Sequence, residues 1–386
     1  MTLPRDTLLL ASGLSVFKAN SFSRQLRLLK RFLEKLEYRV VLAGRAAMSR
    51  AHRTASPAAG PAEQPIGGML DVDDFSKDIV DNLVSANSIS AAILLGYPDQ
   101  FQFLEGSTAF PVYFWYQASR PAAPPDLQPA VVVPLTPMTA MHLQTAGCSK
   151  IGPIIPHGVD IDVFRPAEER GCNGGSLHRS AAGDTSPHRD APRGPTLLTL
   201  GANSHRKRFD RLIEAFSLVI AELPDARLLI KTDFAKKPGG FDLVRLAERF
   251  GVKERVSIID NELSDTELAR LYASADMYVH TAEWEGFCIP VIEAMACGLP
   301  VVTHPVQGPG EIVPYPDLLV PGSRTVKDGD VELLMADPGA FAKAIIRIAK
   351  DPLTARRASS EGRAAAVGRF DIRLVVEKWL KLLFSP

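Results

Sequence analysis

Strand-like and helix-like segments alternate through both halves of this chain, and that alternation limits its fold more than any other feature. In the first half "TLLLASGLSVF" (7–17) reads as a buried strand running into a turn at Ser12-Gly13. "SRQLRLLKRFLEKL" (23–36) follows as a helix with Leu26, Leu29, Phe32 and Leu33 on one stripe. "YRVVLAGR", "AAILLGY", "FPVYFWYQASRP" and "AVVVP" read as further strands, "DDFSKDIVDNLVSA" and "TPMTAMHLQTAG" as helices, and "KIGPIIPHGVD" as a closing strand and loop. The second half repeats the logic through "TLLTLGAN", "RFDRLIEAFSLVIAEL", "ARLLIKTD", "FDLVRLAERFG", "RVSIID", "SDTELARLYASA", "DMYVHTA", a helix from Pro290, and "PVVTHP". Apolar strands separated by amphipathic helices build parallel βαβ units. The expected class is therefore α/β, with two Rossmann-like doubly wound parallel sheets.

Length supports two such units, since 386 residues exceed one ordinary core. With 46% apolar and 23% charged residues, burial is ample and global disorder is excluded. Acids and bases balance at 44 each, so net charge gives no reason to expect nucleic acid as a partner. Cys148, Cys172, Cys288 and Cys297 form no CxxC pair and no zinc spacing, and are expected as reduced thiols in a cytoplasm. No apolar run reaches the roughly 18 residues that span a bilayer. The run from Thr7 to Phe17 has Asp6 before it and no obvious cleavage site after it, so it reads as a strand rather than a leader. Two stretches interrupt the alternation. Residues 52–68 are rich in Pro, Ala and Gly and are expected as a mobile loop; residues 168–194 have almost no large apolar side chain and are expected as a linker.

The segment "EWEGFCIPVIEAMACGLPVV" (283–302) carries the chemistry. It leaves a strand, turns at Gly286-Phe287, and enters a helix in which Pro290 is expected at the first position and Glu293 in the first turn. Ligands of doubly wound sheets bind beyond the carboxyl ends of the strands, and a helix N-terminus there attracts phosphate. The loop reads as a phosphate cradle with one acid on each side, each able to accept hydrogen bonds from sugar hydroxyls. The plainer reading of Glu293, a capping box, wants Ser or Thr where Pro290 stands.

On these residues the chain resembles retaining GT-B glycosyltransferases of the family 4 type, the glycosyl transferases group 1. "EGFCIPVIEAMACGLPVV" is similar to their donor-site signature, "IIPHGVDIDVFRP" to the segment leaving their first domain, and "LGANSHRKRFDRLIEAF" to the first strand and helix of their second. The resemblance implies two Rossmann-like domains facing a cleft: an acceptor domain over 1–166, a linker over 167–194, a nucleotide-sugar-binding domain over 195–370, and a returning helix over 371–386. It implies an enzyme that moves a sugar from a nucleotide-diphosphate sugar to a hydroxyl acceptor with retention. Glu293 would take ribose hydroxyls and Glu285 hydroxyls of the transferred sugar, while Gly286, Phe287, Cys288 and Ile289 lie along the phosphates and sugar. Lys207, after the strand ending at Gly201, would hold the diphosphate, with the adjacent Arg206 as the substitute for an arginine usual in the family, and Glu311 would approach the nucleotide or sugar. Gly13, Lys18 and Asn20 are candidates for an acceptor or phosphate loop, with a plain turn as the alternative.

Two positions depart from the family pattern. Ala202 stands where an arginine is usual, and Tyr116 and Gln117 follow the fifth strand where many relatives have a histidine. These departures keep an alternative open, a catalytically silent nucleotide-sugar-binding module. His157 is expected as a packed hinge residue. No metal is expected: "LDVDD" (70–74) reads as a helix start with acids in its first turn. The donor counts as co-substrate with no cofactor beside it, UDP-sugar slightly favoured over GDP-sugar. Arg24, Arg27, Lys30, Arg31 and Lys35 suit an ordinary surface helix or, as the alternative, peripheral contact with an anionic membrane. Oligomeric state is unreadable.

Overall fold

The computed structural model describes residues 6–17, 20–45, 69–72, 75–96, 100–101, 110–117, 130–167, 194–322, 324–328 and 331–384. The expected mobile loop over 52–68, the expected linker up to residue 193, Lys18 and Cys172 lie outside the described residues. The chain divides into two compact units, one of Met1–Gly158 with Ile372–Pro386 and the other of Val159–Asp371.

In the first unit six strands form one sheet: β1 (Thr7–Ser12), β2 (Arg39–Arg45), β3 (Met69–Val72), β4 (Ile89–Leu95), β5 (Val112–Tyr116) and β6 (Val131–Pro134). Their order is β3-β2-β1-β4-β5-β6 and every pairing is parallel. That is the doubly wound order, with its reversal between β1 and β4. β1 is buried along its whole length, which is why it reads as an unbroken apolar run. Helices α1 (Ser21–Lys35), α2 (Lys77–Asn87) and α3 (Pro137–Thr145) make the connections. α1 buries Leu26, Leu29, Phe32 and Leu33, the stripe seen in the sequence. Asn20 caps it, its Oδ1 accepting the Ser23 N–H at 2.9 Å.

"LDVDD" is not a helix start, because Leu70, Asp71 and Val72 belong to β3. The cause is local. Asp71 pairs with Gly44 on the edge of the sheet, and its Oδ1 accepts the Val16 N–H at 2.8 Å, so one acid does structural work inside an edge strand.

The second unit builds a five-stranded parallel sheet from β7 (Thr196–Leu200), β8 (Arg227–Lys231), β9 (Val256–Ile259), β10 (Met277–His280) and β11 (Val301–Thr303). Their order is β11-β10-β7-β8-β9, and the reversal falls between β7 and β10. The intervening helices are α4 (Phe209–Glu222), α5 (Leu243–Arg249), α6 (Asp265–Ala273), α7 (Ile289–Ala296) and the short α8 (Pro309–Ile312). A hairpin, β12 (Arg324–Asp328) with β13 (Val331–Met335), precedes α9 (Pro338–Lys350) and α10 (Pro352–Phe370). The core of this sheet is packed by Leu212, Phe216, Ile230, Val279, Phe341 and Ile345, all fully buried. The final helix, α11 (Ile372–Phe384), returns to the first unit, where Trp379 meets Trp115 edge-on at 5.4 Å and α1 lies against it.

Candidate active site

The topological switch of the second sheet places two loops side by side, one after β7 and one after β10. Thr281 Oγ1 joins them by donating to the Lys207 and Arg208 carbonyls at 3.1 and 3.2 Å, and the Glu283 N–H donates to the Arg206 carbonyl at 2.9 Å. Arg208, held in the left-handed region at φ 51°, pairs with Glu283 at 2.8 Å across the same seam. The loop carrying the bases is thereby locked to the loop carrying the acids.

Glu285 is the centre of this arrangement and only 4% exposed. One carboxylate oxygen accepts from the Lys207 ammonium and the other lies 2.8 Å from the Arg206 guanidinium. Burial alone would raise its pKa, but Arg206 and Lys207 outweigh that and hold the carboxyl well below the usual range. Gly201 makes room for this pair. A Cβ there would sit 2.8 Å from Lys207 Cε, so the glycine at the end of β7 lets the lysine stem pass over the backbone. Arg206 also stacks over the Trp284 ring, 4.9 Å from its centroid, and donates to the Trp284 carbonyl at 3.3 Å.

The helix after the turn starts one residue earlier than the sequence pattern suggests. Cys288 is its N-cap and Ile289 its first residue, so Pro290 is second and Glu293 fifth. Glu293 is therefore in the second turn rather than the first. The shift follows from Cys288 adopting a left-handed backbone at φ 81°, which lets the chain enter the helix ahead of the proline. α7 is buried almost all round, and Glu293, 2% exposed, accepts from the Tyr272 hydroxyl at 2.9 Å. Tyr272 packs on Tyr278, and Tyr278 stacks on His280, which lies 3.6 Å from Glu285. A layer of three rings thus connects the two acids.

His280 is pushed down to about 3 by burial first and then by Lys207, so it is neutral at ordinary pH. The Cys288 thiol is pushed up to about 12 by burial and by Glu285. Gly286 and Phe287 are buried with it. Glu311 lies in α8, and the loop before it approaches the same turn: a Cβ on Gly308 would fall 2.6 Å from the Phe287 carbonyl oxygen.

Arg206, Lys207, Gly201, Glu285, Gly286, Phe287, Cys288, Ile289, Glu293 and Glu311 therefore all fall around the carboxyl end of one sheet. Gly13 and Asn20 belong to the first unit. The Gly13 N–H donates to the Leu95 carbonyl at the β1–β4 switch, and Asn20 spends its side chain capping α1. His157 is fully buried beside Trp115, 3.4 Å from Gln117 Oε1, and burial pushes it down to about 3. Sequence reasoning missed His280, Tyr272 and Trp284. His280 ends strand β10, and the rule that ligands lie beyond strand ends was the signal available for it.

Fold and site together define the class as a GT-B protein, built from two Rossmann-like parallel-sheet units. The glycosyl transferases group 1 family model matches residues 186–365, the segment that holds both acids and both bases. The chain is 31% identical over 233 residues to D-inositol 3-phosphate glycosyltransferase of Mycobacterium sp. (strain JLS), a match spanning 58% of this chain and 45% of that one. The chain thus matches somewhat less than half the length of this curated relative. Among solved structures, sucrose-phosphate synthase of Thermosynechococcus elongatus has a TM-score of 0.73 at 19% identity, covering 98% of both chains. HepE of Anabaena, in complex with UDP and glucose, has a TM-score of 0.69 at 17% identity, covering 99% of this chain and all of the other (100%). At such identities these structures speak for the fold alone.

Proposed function

We propose that this protein is a retaining glycosyltransferase that moves a sugar from a nucleotide-diphosphate sugar to a hydroxyl acceptor. The observation that carries the reading is the Arg206–Glu285–Lys207 cluster at the β7–β10 switch, with Glu285 and Lys207 buried. Two fixed cations beside a strand end suit a diphosphate, whose charge grows as it leaves and is stabilised by preorganised positive groups. Lys207 and Arg206 fill that role, so the reaction needs no metal. Glu285 then turns from the cations to hydroxyls of the transferred sugar, and Glu293 binds the ribose with Tyr272 steadying it. The backbone from Gly286 to Ile289 lies along the phosphates and sugar, and Glu311 approaches from α8.

In the step itself the anomeric carbon breaks its bond to the diphosphate oxygen and forms one to the acceptor oxygen on the same face. The acceptor proton passes to the departing phosphate, so no side-chain base is required, in keeping with Tyr116 and Gln117 where many relatives have a histidine. Positioning and phosphate stabilisation carry the catalysis. The domain roles follow: 1–166 for the acceptor, 167–194 as linker, 195–370 for the donor and 371–386 as returning helix, with Gly13, Lys18 and Asn20 on the acceptor side. UDP-sugar is the preferred donor class, supported by the UDP complex of the Anabaena protein. Among the described residues no helix is long and apolar enough to cross a membrane. The proposed location is the cytoplasm, with peripheral contact at an anionic membrane as the variant.

The test is a thermal-shift and hydrolysis screen of the purified protein against UDP-, GDP- and ADP-sugars, with Glu293→Ala alongside. A donor at 100 times its Kd stabilises the fold by about 2.7 kcal/mol, and the mutant is expected to lose that gain. Stabilisation with no sugar release or transfer would favour the silent module that Ala202 suggests. No stabilisation by any donor would sink both readings.

A further inference from the structure

Cys288 occupies a backbone conformation that favours glycine, at φ 81° and ψ 76°. A non-glycine side chain held there is strained. The strained residue directs its thiol inward, with Sγ 3.7 Å from His280 Nε2 and 3.8 Å from Nδ1. His280 Nε2 lies 3.6 Å from Glu285 Oε1, and one ligand atom from each of the three residues falls within 4.8 Å of the others. All three are buried, at 2%, 4% and 5% exposure for His280, Glu285 and Cys288.

These separations are close to what a metal demands. Tetrahedral zinc takes thiolate at about 2.3 Å and imidazole or carboxylate at about 2.0–2.2 Å, which sets neighbouring ligand atoms roughly 3.3–3.6 Å apart. Two edges of the triangle here are 3.6 and 3.7 Å. Sulfur, imidazole and carboxylate together select a borderline-soft cation over magnesium or calcium.

We propose that His280, Glu285 and Cys288 form an inhibitory site for a thiophilic divalent cation, of which zinc is the physiological representative. On binding, the Cys288 proton leaves to solvent, Sγ and His280 Nε2 take the cation, and Glu285 exchanges the Lys207 ammonium for it; water completes the fourth position. The cation is no cofactor. It removes Glu285 from the sugar side and pushes Lys207 from its seat, so bound metal and an ordered donor site exclude each other. Metal binding stands apart from the proposed transferase activity, whereas the word inhibitory rests on it.

Cobalt is the probe, because tetrahedral Co²⁺ bound by a thiolate absorbs in the near ultraviolet and visible. The full-length protein, kept reduced, is titrated with Co²⁺ and then with Zn²⁺. One equivalent of thiolate-bound Co²⁺, displaced by zinc, is expected, with affinity lowered more than about tenfold in both Cys288→Ala and His280→Gln and kept in Cys297→Ser. Absence of a thiolate band, or a band that survives Cys288→Ala, overturns the site; should Cys288→Ala not fold by circular dichroism, His280→Gln decides alone. Donor hydrolysis is then read with and without one equivalent of zinc. Bound metal with unchanged hydrolysis overturns the inhibition. No hydrolysis by the metal-free protein counts instead against the transferase reading, with the site still judged by cobalt.

Discussion

At Glu285 one carboxylate faces two cations in a nearly dry setting, and the balance is asymmetric. Lys207 is buried and has little water to fall back on, whereas the Arg206 side chain is about a third exposed, at 32%. Glu285→Ala is therefore expected to lower stability by about 3–5 kcal/mol in a urea titration, because it strands a buried ammonium. Glu285→Leu combined with Lys207→Met should cost clearly less than the sum of the single changes, since the pair is removed together. Additive losses would mean that the two groups do not share one electrostatic unit. Tyr272→Phe removes the donor to Glu293 and should cost about 1.5–3 kcal/mol, the range for a hydrogen bond to a charged group. The acids and Lys207 were legible in the sequence because a strand, a Gly-Phe turn and a proline frame them in one short stretch. The ring layer of Tyr272, Tyr278 and His280 was not, since aromatic residues on a helix and a strand look like ordinary core until the fold sets them in line.

Elements show the same division between local and non-local causes. Strands β1, β7 and β8 were readable because parallel strands buried on both faces are continuous apolar runs. β3 was hidden by Asp71, whose partner Val16 is remote in sequence. The hairpin β12–β13 escaped too, because "RTVKD" carries three charges in five residues and reads as solvated chain. The start of α7 depends on a non-glycine residue in a left-handed conformation, which no propensity scale anticipates. Glycine matters most at Gly308, where φ is 81° and a methyl group would meet the Phe287 carbonyl at 2.6 Å. Gly308→Ala should lower stability by about 1–3 kcal/mol and weaken donor binding, since α8 and the Phe287 turn must separate. Gly201→Ala should behave differently. Its added methyl meets the flexible end of Lys207, so donor stabilisation falls in the thermal-shift assay while urea stability falls less than in Gly308→Ala.

Over the whole molecule, each unit contains a buried histidine kept neutral: His157 in the first and His280 in the second, both pushed down to about 3, with burial the largest cause. A folded-state value below the ordinary 6.5 means that the unfolded chain binds the proton first. Their contribution to stability is complete above pH 6.5 and is lost as pH falls toward 3, at up to about 1.4 kcal/mol per pH unit for each histidine. Glu285, also depressed, adds to the loss below its ordinary 4.5. Acid should therefore weaken both units, and tryptophan fluorescence can separate them. Two of the three tryptophans, Trp115 and Trp379, pack together in the first unit, and Trp115 touches His157. Trp284 lies in the second, over Arg206. In a Trp284→Phe background, emission follows the first unit alone. His157→Phe should then flatten the fall in urea midpoint between pH 6.5 and 4, while a slope equal to that of the parent would show that His157 is not the group that takes up the proton.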